Sequence, residues 1–263
     1  MDTQSTPTPK KTAKAKATTT LTFDETMAAL AAAGSAQTCK TYARHGAEGP
    51  MFGVSFATLK TLVKRIGANQ PLAQALWETD NHDARMLALK VADPALITLA
   101  ELRGWAATGR IKMCANYLAQ LAAESPHGRE LARTWLGSQR AELRRVGWSL
   151  VGALAMIDAE MPDAWFADQL QVIEQTLHAA PSEEREAMNH AVIAIGCHSA
   201  ASRALASATA ERIGPVEVDH GDTACKTPDA CAYIEKTWVH SMAKGFASPA
   251  AHERSREPMR LRC

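Results

Sequence analysis

A short station (an acidic residue, one spacer, then an arginine) recurs three times at the start of helix-like runs: Asp83-Ala84-Arg85, Glu142-Leu143-Arg144 and Glu183-Glu184-Arg185. In the first two cases a tryptophan, Trp77 or Trp135, precedes the station by eight or nine residues. The intervals between the arginines are 59 and 41 residues. Such spacing suits helical hairpins of roughly 40 residues with one longer unit, and a hairpin of that size buries its apolar face only by stacking on a neighbour. The predicted fold is therefore all-α, a right-handed α-α superhelix of helical repeats in one continuous stack.

Composition agrees. Hydrophobic residues make up 46% of the chain and aromatics only 5%, with long alanine and leucine runs that favour helix over sheet. No segment alternates apolar and polar residues long enough to build a sheet. No run of about 18 apolar residues occurs, so a membrane partner is not expected. The N-terminus lacks the apolar core of a secretory signal. Six cysteines without a C-x-x-C pair read as reduced thiols of a cytoplasmic protein.

Several chemistries lack their signatures. There is no Walker loop, dinucleotide glycine fingerprint, nucleophile elbow or H-E-x-x-H, so no cofactor is expected. Asp219, His220, Asp222 and Cys225, with Cys231 beyond, match no common zinc spacing. They read as a turn-rich strap whose Asp and Thr side chains hold backbone amides, not as a metal site.

Along the chain, residues 1–20 carry Lys10, Lys11, Lys14 and Lys16 and nothing apolar to bury, the composition of a disordered basic tail. The folded part, residues 21–240, opens with helices over Phe23 to Ala33, Cys39 to Arg44 and Phe56 to Ile66, the last capped by Ser55. Hairpins follow: Leu72 to Glu78 with Asp83 to Ala92, Leu96 to Ala107 with Arg110 to Ala123, His127 to Leu136 with Glu142 to Met156, and Asp163 to His178 with Glu183 to Gly196. A helix from Ala200 to Ile213, the strap over residues 214–228 and a helix from Asp229 to His240 complete it. Residues 241–263, with Arg254, Arg256, Arg260 and Arg262, read as a loose basic tail.

At each station the acid favours the positive helix start, and the arginine can reach a carboxylate or carbonyl of the adjacent hairpin. The middle station differs, because Arg144 and Arg145 are adjacent. Arg145, Ser149 and Gly152 share a face of small residues that lets a bulky partner approach, so one arginine can serve the scaffold while the other meets a phosphate. Lys60, Lys64, Arg110 and Lys112 lie on or beside second helices of hairpins. With a net charge of only +1, a positive groove requires segregation of these cations. Asn189, His190 and His198 lie where one of them can face such a groove.

The run Gly53-Val54-Ser55-Phe56-Ala57 with Leu59, then Leu76-Trp77, Asn81-His82-Asp83-Ala84-Arg85, Arg144-Arg145 and Ala194-Ile195-Gly196, resembles the DNA alkylation repair enzyme family. The strap sequence from Val216 to Ala230 resembles a tail of one branch of it. The resemblance spans Phe23 to Lys236 and implies a HEAT-like repeat solenoid that binds duplex, alkylated DNA as a monomer. It also implies N-glycosidic removal of alkylated purines. Catalytic members carry a tryptophan, an aspartate four residues on, an arginine on the next repeat and a further tryptophan after Ala-Ile-Gly. Here the arginine falls on Arg144 or Arg145, but Lys112 stands at the first tryptophan, Asn116 at the aspartate and Cys197 at the second tryptophan.

A carboxylate stabilises the positive charge that develops on the sugar. Loss of one such preorganised group commonly costs on the order of 10² to 10³ in rate. Glu101, Asp83 and Glu142 have the right charge to substitute, but their spacing places none of them beside Asn116. Arg145, Arg144 and Asn116 are thus the candidate catalytic residues, and Lys60, Lys64, Arg110, Lys112 and Arg185 the candidate DNA contacts. The alternative is a non-catalytic scaffold that holds DNA or a protein segment.

Overall fold

The structure, a computed structural model, describes residues 21–108 and 113–262. The expected basic tail, and Arg110 and Lys112 among the expected contacts, lie outside the described residues. Fourteen α-helices and two 3-10 turns make up the described secondary structure. Two helices, α1 (Phe23–Ala32) and α2 (Ala36–Arg44), lead into α3 (Phe56–Ile66). Then come four hairpins: α4 (Gln70–Glu78) with α5 (His82–Val91), α6 (Leu99–Ala107) with α7 (Ala115–Glu124), α8 (Gly128–Leu136) with α9 (Ala141–Ile157), and α10 (Asp163–Thr176) with α11 (Ser182–Gly196). The chain closes with α12 (Ala200–Ile213), α13 (Ala230–Met242) and α14 (Pro249–Arg254).

The helices form two layers. The helices α3, α5, α7, α9, α11 and α13 touch in order and make the inner layer; from α5 onward each packs on the helix that precedes it, in the outer layer. This is the stack of helical hairpins expected from the repeat spacing, and the HEAT-like solenoid that the resemblance implies. Local chemistry fixes the helix starts. Ser55 caps α3 as predicted, Asn69 and Asn81 cap α4 and α5, and Thr98 with Glu101 forms a capping box on α6.

The first station builds the N-terminal half. Asp83 is fully buried and its carboxylate accepts three backbone N–H groups, from Phe52 (2.6 Å), Gly53 (3.0 Å) and Val54 (2.7 Å). That holds the loop before α3 against α5. Gly53 is obligatory there: its φ is +78°, and a Cβ would lie 2.3 Å from the Ser35 carbonyl oxygen. Arg85 points the other way. It pairs with Asp80 (2.6 Å), donates to the Trp77 carbonyl (3.3 Å) and covers the Trp77 ring, which stacks on Trp105 with centroids 4.5 Å apart.

The C-terminal residues correct an expectation. The segment after residue 241 is not a loose tail: α14 packs on α9 and α13, and the turn Met259–Leu261 packs on α5 and α7. Arg260 is only 5% exposed. Its guanidinium pairs with Glu124 (2.6 Å) and donates to the Lys90 carbonyl (2.5 Å), while Lys90 Nζ donates back to the Arg260 carbonyl (2.7 Å). Expected in a loose basic tail, Arg260 is instead a bolt across the free face of the inner layer. With α4 behind it, α3 and α7 beside it and this turn in front, every residue of α5 is buried.

Candidate nucleic-acid interface

The inner layer presents a stripe along α9, with Arg145, Ser149, Gly152 and Met156 at helical spacing. Ser149 Oγ donates to Asn116 Oδ1 on α7 across 2.9 Å. Ser149, Gly152, Met156 and Asn116 line a hollow with His190 of α11 and Met259 of the C-terminal turn. The fold thus brings Asn116 onto the same stripe as Arg145, one helical turn away. Only 15% of the Arg145 side chain is exposed, and its Nη1 lies 3.6 Å from Glu183. His190 stands exposed on this face yet is hemmed in on its other sides. That partial desolvation pushes its pKa down, with His220 adding to the effect and Glu186 opposing it.

Two expected site residues, Arg144 among the catalytic candidates and Arg185 among the DNA contacts, are engaged by the scaffold. Arg144 forms a bidentate pair with the buried Glu184 (2.8 and 2.7 Å) and donates Nη1 to the carbonyls of Ser138 and Gln139. This pairing raises its pKa, the hydrogen bonds it donates to Glu184 being the largest cause. Arg185 donates to the carbonyls of His178, Ala180 and Glu217, clamping the strap to the base of α11. All three station arginines therefore reach back to carbonyls at the preceding turn and serve the scaffold. Sequence adjacency could not separate Arg144 from Arg145. The separation comes from Glu184, 40 residues on, which lies on the Arg144 side.

Lys60 and Lys64 lie on α3 at the other end of the inner layer, solvent-accessible and without an ion-pair partner among the described residues. A cation assigned to the tail takes part as well: Arg254 is exposed and its Nη1 lies 3.5 Å from the Met156 carbonyl, at the far end of the α9 stripe. The acids with the charge to replace Asn116 are elsewhere. Glu101 caps α6 and bonds Gln70 and Gln74, Asp83 is locked in its amide cluster, and Glu142 lies beside Arg140.

Cys197 has no place on this face. It is buried with Sγ 3.1 Å from Thr237 Oγ1, and α13 covers the site, Trp238 donating to the Gly196 carbonyl across 2.7 Å. Of the other groove candidates, His198 is tied to the Ala155 carbonyl, and Asn189 is buried and donates to the Pro228 carbonyl. In the strap, Asp219 accepts from the Gly221 amide and Thr223 donates to the His220 carbonyl, so its polar side chains do hold backbone. Among the described residues no helix is long and apolar enough to cross a membrane.

The DNA alkylation repair enzyme pattern matches residues 26–234. This chain belongs to that family. An uncharacterized protein of Listeria monocytogenes is 28% identical over 222 residues, 82% of this chain and 97% of the relative. One of Listeria innocua is 27% identical over the same shares. Among solved structures, a protein of a family related to the HEAT-like repeat DNA glycosylases, with affinity for branched DNA structures, superposes with a TM-score of 0.75 at 26% identity. The match covers 86% of this chain and 96% of that one.

Proposed function

We propose that this protein binds branched DNA, as a single chain, along the free face of its inner layer, and that it does so without excising bases. The observation that carries the reading is the α9 stripe. It is uncharged and built of small residues in its middle, with Asn116 where the family's catalytic members have a carboxylate, and it is bracketed by Arg145 and Arg254. Eleven helical residues separate the two ends of the stripe, about 16 Å at ~1.5 Å per residue. That is wide enough for two strands of a nucleic acid to be held at phosphates on either side of a neutral floor. The affinity of the structurally similar protein for branched DNA supports the choice of substrate.

The absence of chemistry follows from charge. An asparagine dipole already engaged by Ser149 offers no full negative charge to a developing oxocarbenium ion. The test pairs two assays on the full chain. Fluorescence anisotropy with a four-way junction and a linear duplex of equal length should show tighter junction binding, weakening with salt at about 0.9 log units per neutralised phosphate. Base release from methylated duplex should stay at background. A salt-independent affinity, or release above background that is lost with Arg145→Ala, overturns the reading.

A further inference from the structure

A titratable cluster stands where α11 meets the strap. Glu186 and His190 are four residues apart on α11 and so share one side of the helix. The strap brings a second imidazole to the same carboxylate: His220 Nδ1 lies 3.8 Å from Glu186 Oε1, and its Nε2 lies 3.0 Å from Thr227 Oγ1. His190 is itself exposed, and it lines the α9 hollow with Asn116, Ser149 and Gly152. Among the described residues no hydrogen bond holds its ring.

Charge around His190 is unbalanced. One carboxylate faces two imidazoles, and it can neutralise only one imidazolium. The other elements around the hollow add no acid to its lining: α7 contributes Asn116 and Gln120, α9 contributes Ser149 and Gly152, and the C-terminal turn contributes Met259. The cations of the stripe stand at its two ends, Arg145 and Arg254. Partial desolvation, with His220 adding to it and Glu186 opposing it, holds the His190 pKa below the usual histidine value. The ring is therefore neutral at about pH 7. A phosphodiester laid on the stripe brings the negative charge that a second imidazolium lacks.

We infer that His190 is a proton-linked DNA contact: a backbone phosphate of the bound DNA settles beside its imidazole, and the ring takes up a proton from solvent as it does so. The DNA half of this inference rests on the functional reading above; the cluster of Glu186, His190 and His220 does not. The sign follows from reciprocity. A phosphate favours the imidazolium, so the His190 pKa is higher with DNA bound than without it. Between those two values binding takes up a proton, and affinity rises as pH falls. Above the bound-state value the dependence vanishes, as it does below the free-state one. His220 tunes the response. Its removal takes away the competing cation and leaves Glu186 to His190, which lifts the free-state value toward the bound-state one and narrows the window.

Two measurements on the full chain test this. Junction affinity is followed by fluorescence anisotropy at constant ionic strength from about pH 8 down to about pH 5.5, the range in which an ordinary histidine titrates. In the parent, affinity should rise by up to about tenfold per pH unit, the limit for one proton. His190→Gln should flatten that rise, and His220→Gln should reduce it. In the second measurement, the imidazole protons are titrated by ¹H NMR with and without junction, His190→Gln assigning the His190 signal among nine histidines. The His190 midpoint should move up when junction is bound.

Equal slopes in the parent and in His190→Gln overturn the proton link and leave the functional reading standing, as does a His190 midpoint that junction does not move. No junction binding at any pH overturns that reading and the link together, so the two failures are told apart.

Discussion

Arg144 and Arg145 are neighbours with opposite assignments, and substitution separates them. Arg144→Ala strands Glu184, whose side chain is 4% exposed, without its bidentate partner. Removing one member of a buried pair costs about 3 to 5 kcal/mol; because Arg144 is itself partly exposed, we expect about 3 kcal/mol, read from the urea midpoint. Arg145→Ala removes a 3.6 Å contact to the more exposed Glu183, so it should lower that midpoint less than Arg144→Ala does, and weaken junction binding several-fold. At this scale the sequence was legible wherever a residue's role is local. Ser55 as the cap of α3 follows from type and position. What could not be read is any role set by a partner far along the chain, as Glu184 sets that of Arg144, or α13 that of Cys197.

Among the elements, helix boundaries were readable where caps announce them: Ala200–Ile213 and the start of α3 stand as expected. The helix after Pro94 begins at Leu99, not Leu96, because Asp93 turns the chain by accepting from the Ala95 amide and the Thr98–Glu101 capping box sets the start. The C-terminal segment was not readable, since the arginine that anchors it finds Glu124 136 residues away. Arg260→Ala should therefore destabilise the chain by about 3 to 5 kcal/mol, measured by denaturation, where a loose tail would show no change.

The junctions between elements also predict a pH dependence. Asp163 at the start of α10 accepts from the Ser199 and Ser202 hydroxyls at the start of α12, and those bonds hold its carboxyl below the usual aspartate range. The ion pair with Arg129 does the same for Asp158. A depressed carboxyl binds its proton less readily in the folded state than in the unfolded one. Its stabilisation is thus fully present above the ordinary aspartate pKa and is lost as pH falls through the depressed value. Urea midpoints measured down the acid range should fall less steeply in Asp163→Asn and Asp158→Asn than in the parent; parallel slopes would show that these carboxyls do not carry the effect.

For the whole molecule, the stack of hairpins does two things at once. It buries a continuous apolar spine, with α5 enclosed on all sides, and it leaves the second helices of the later repeats to present one shared face. The station spacing announced the stack but not its occupancy: nothing in it indicates that the chain's own C-terminus crosses the middle of the inner layer. That crossing divides the face, leaving the α9 stripe on one side and Lys60 and Lys64 beyond it on the other. A ligand that must bend or branch to reach both suits this layout better than a straight duplex.

The most direct test of this account is the affinity of the full chain for a four-way junction and for its linear duplex counterpart across a salt series, in the parent and in Arg145→Ala. The account predicts tighter binding of the junction, a falling salt line, and a shallower slope with weaker junction binding in Arg145→Ala. Equal affinity for both DNAs, or an Arg145→Ala protein indistinguishable from the parent, would contradict it.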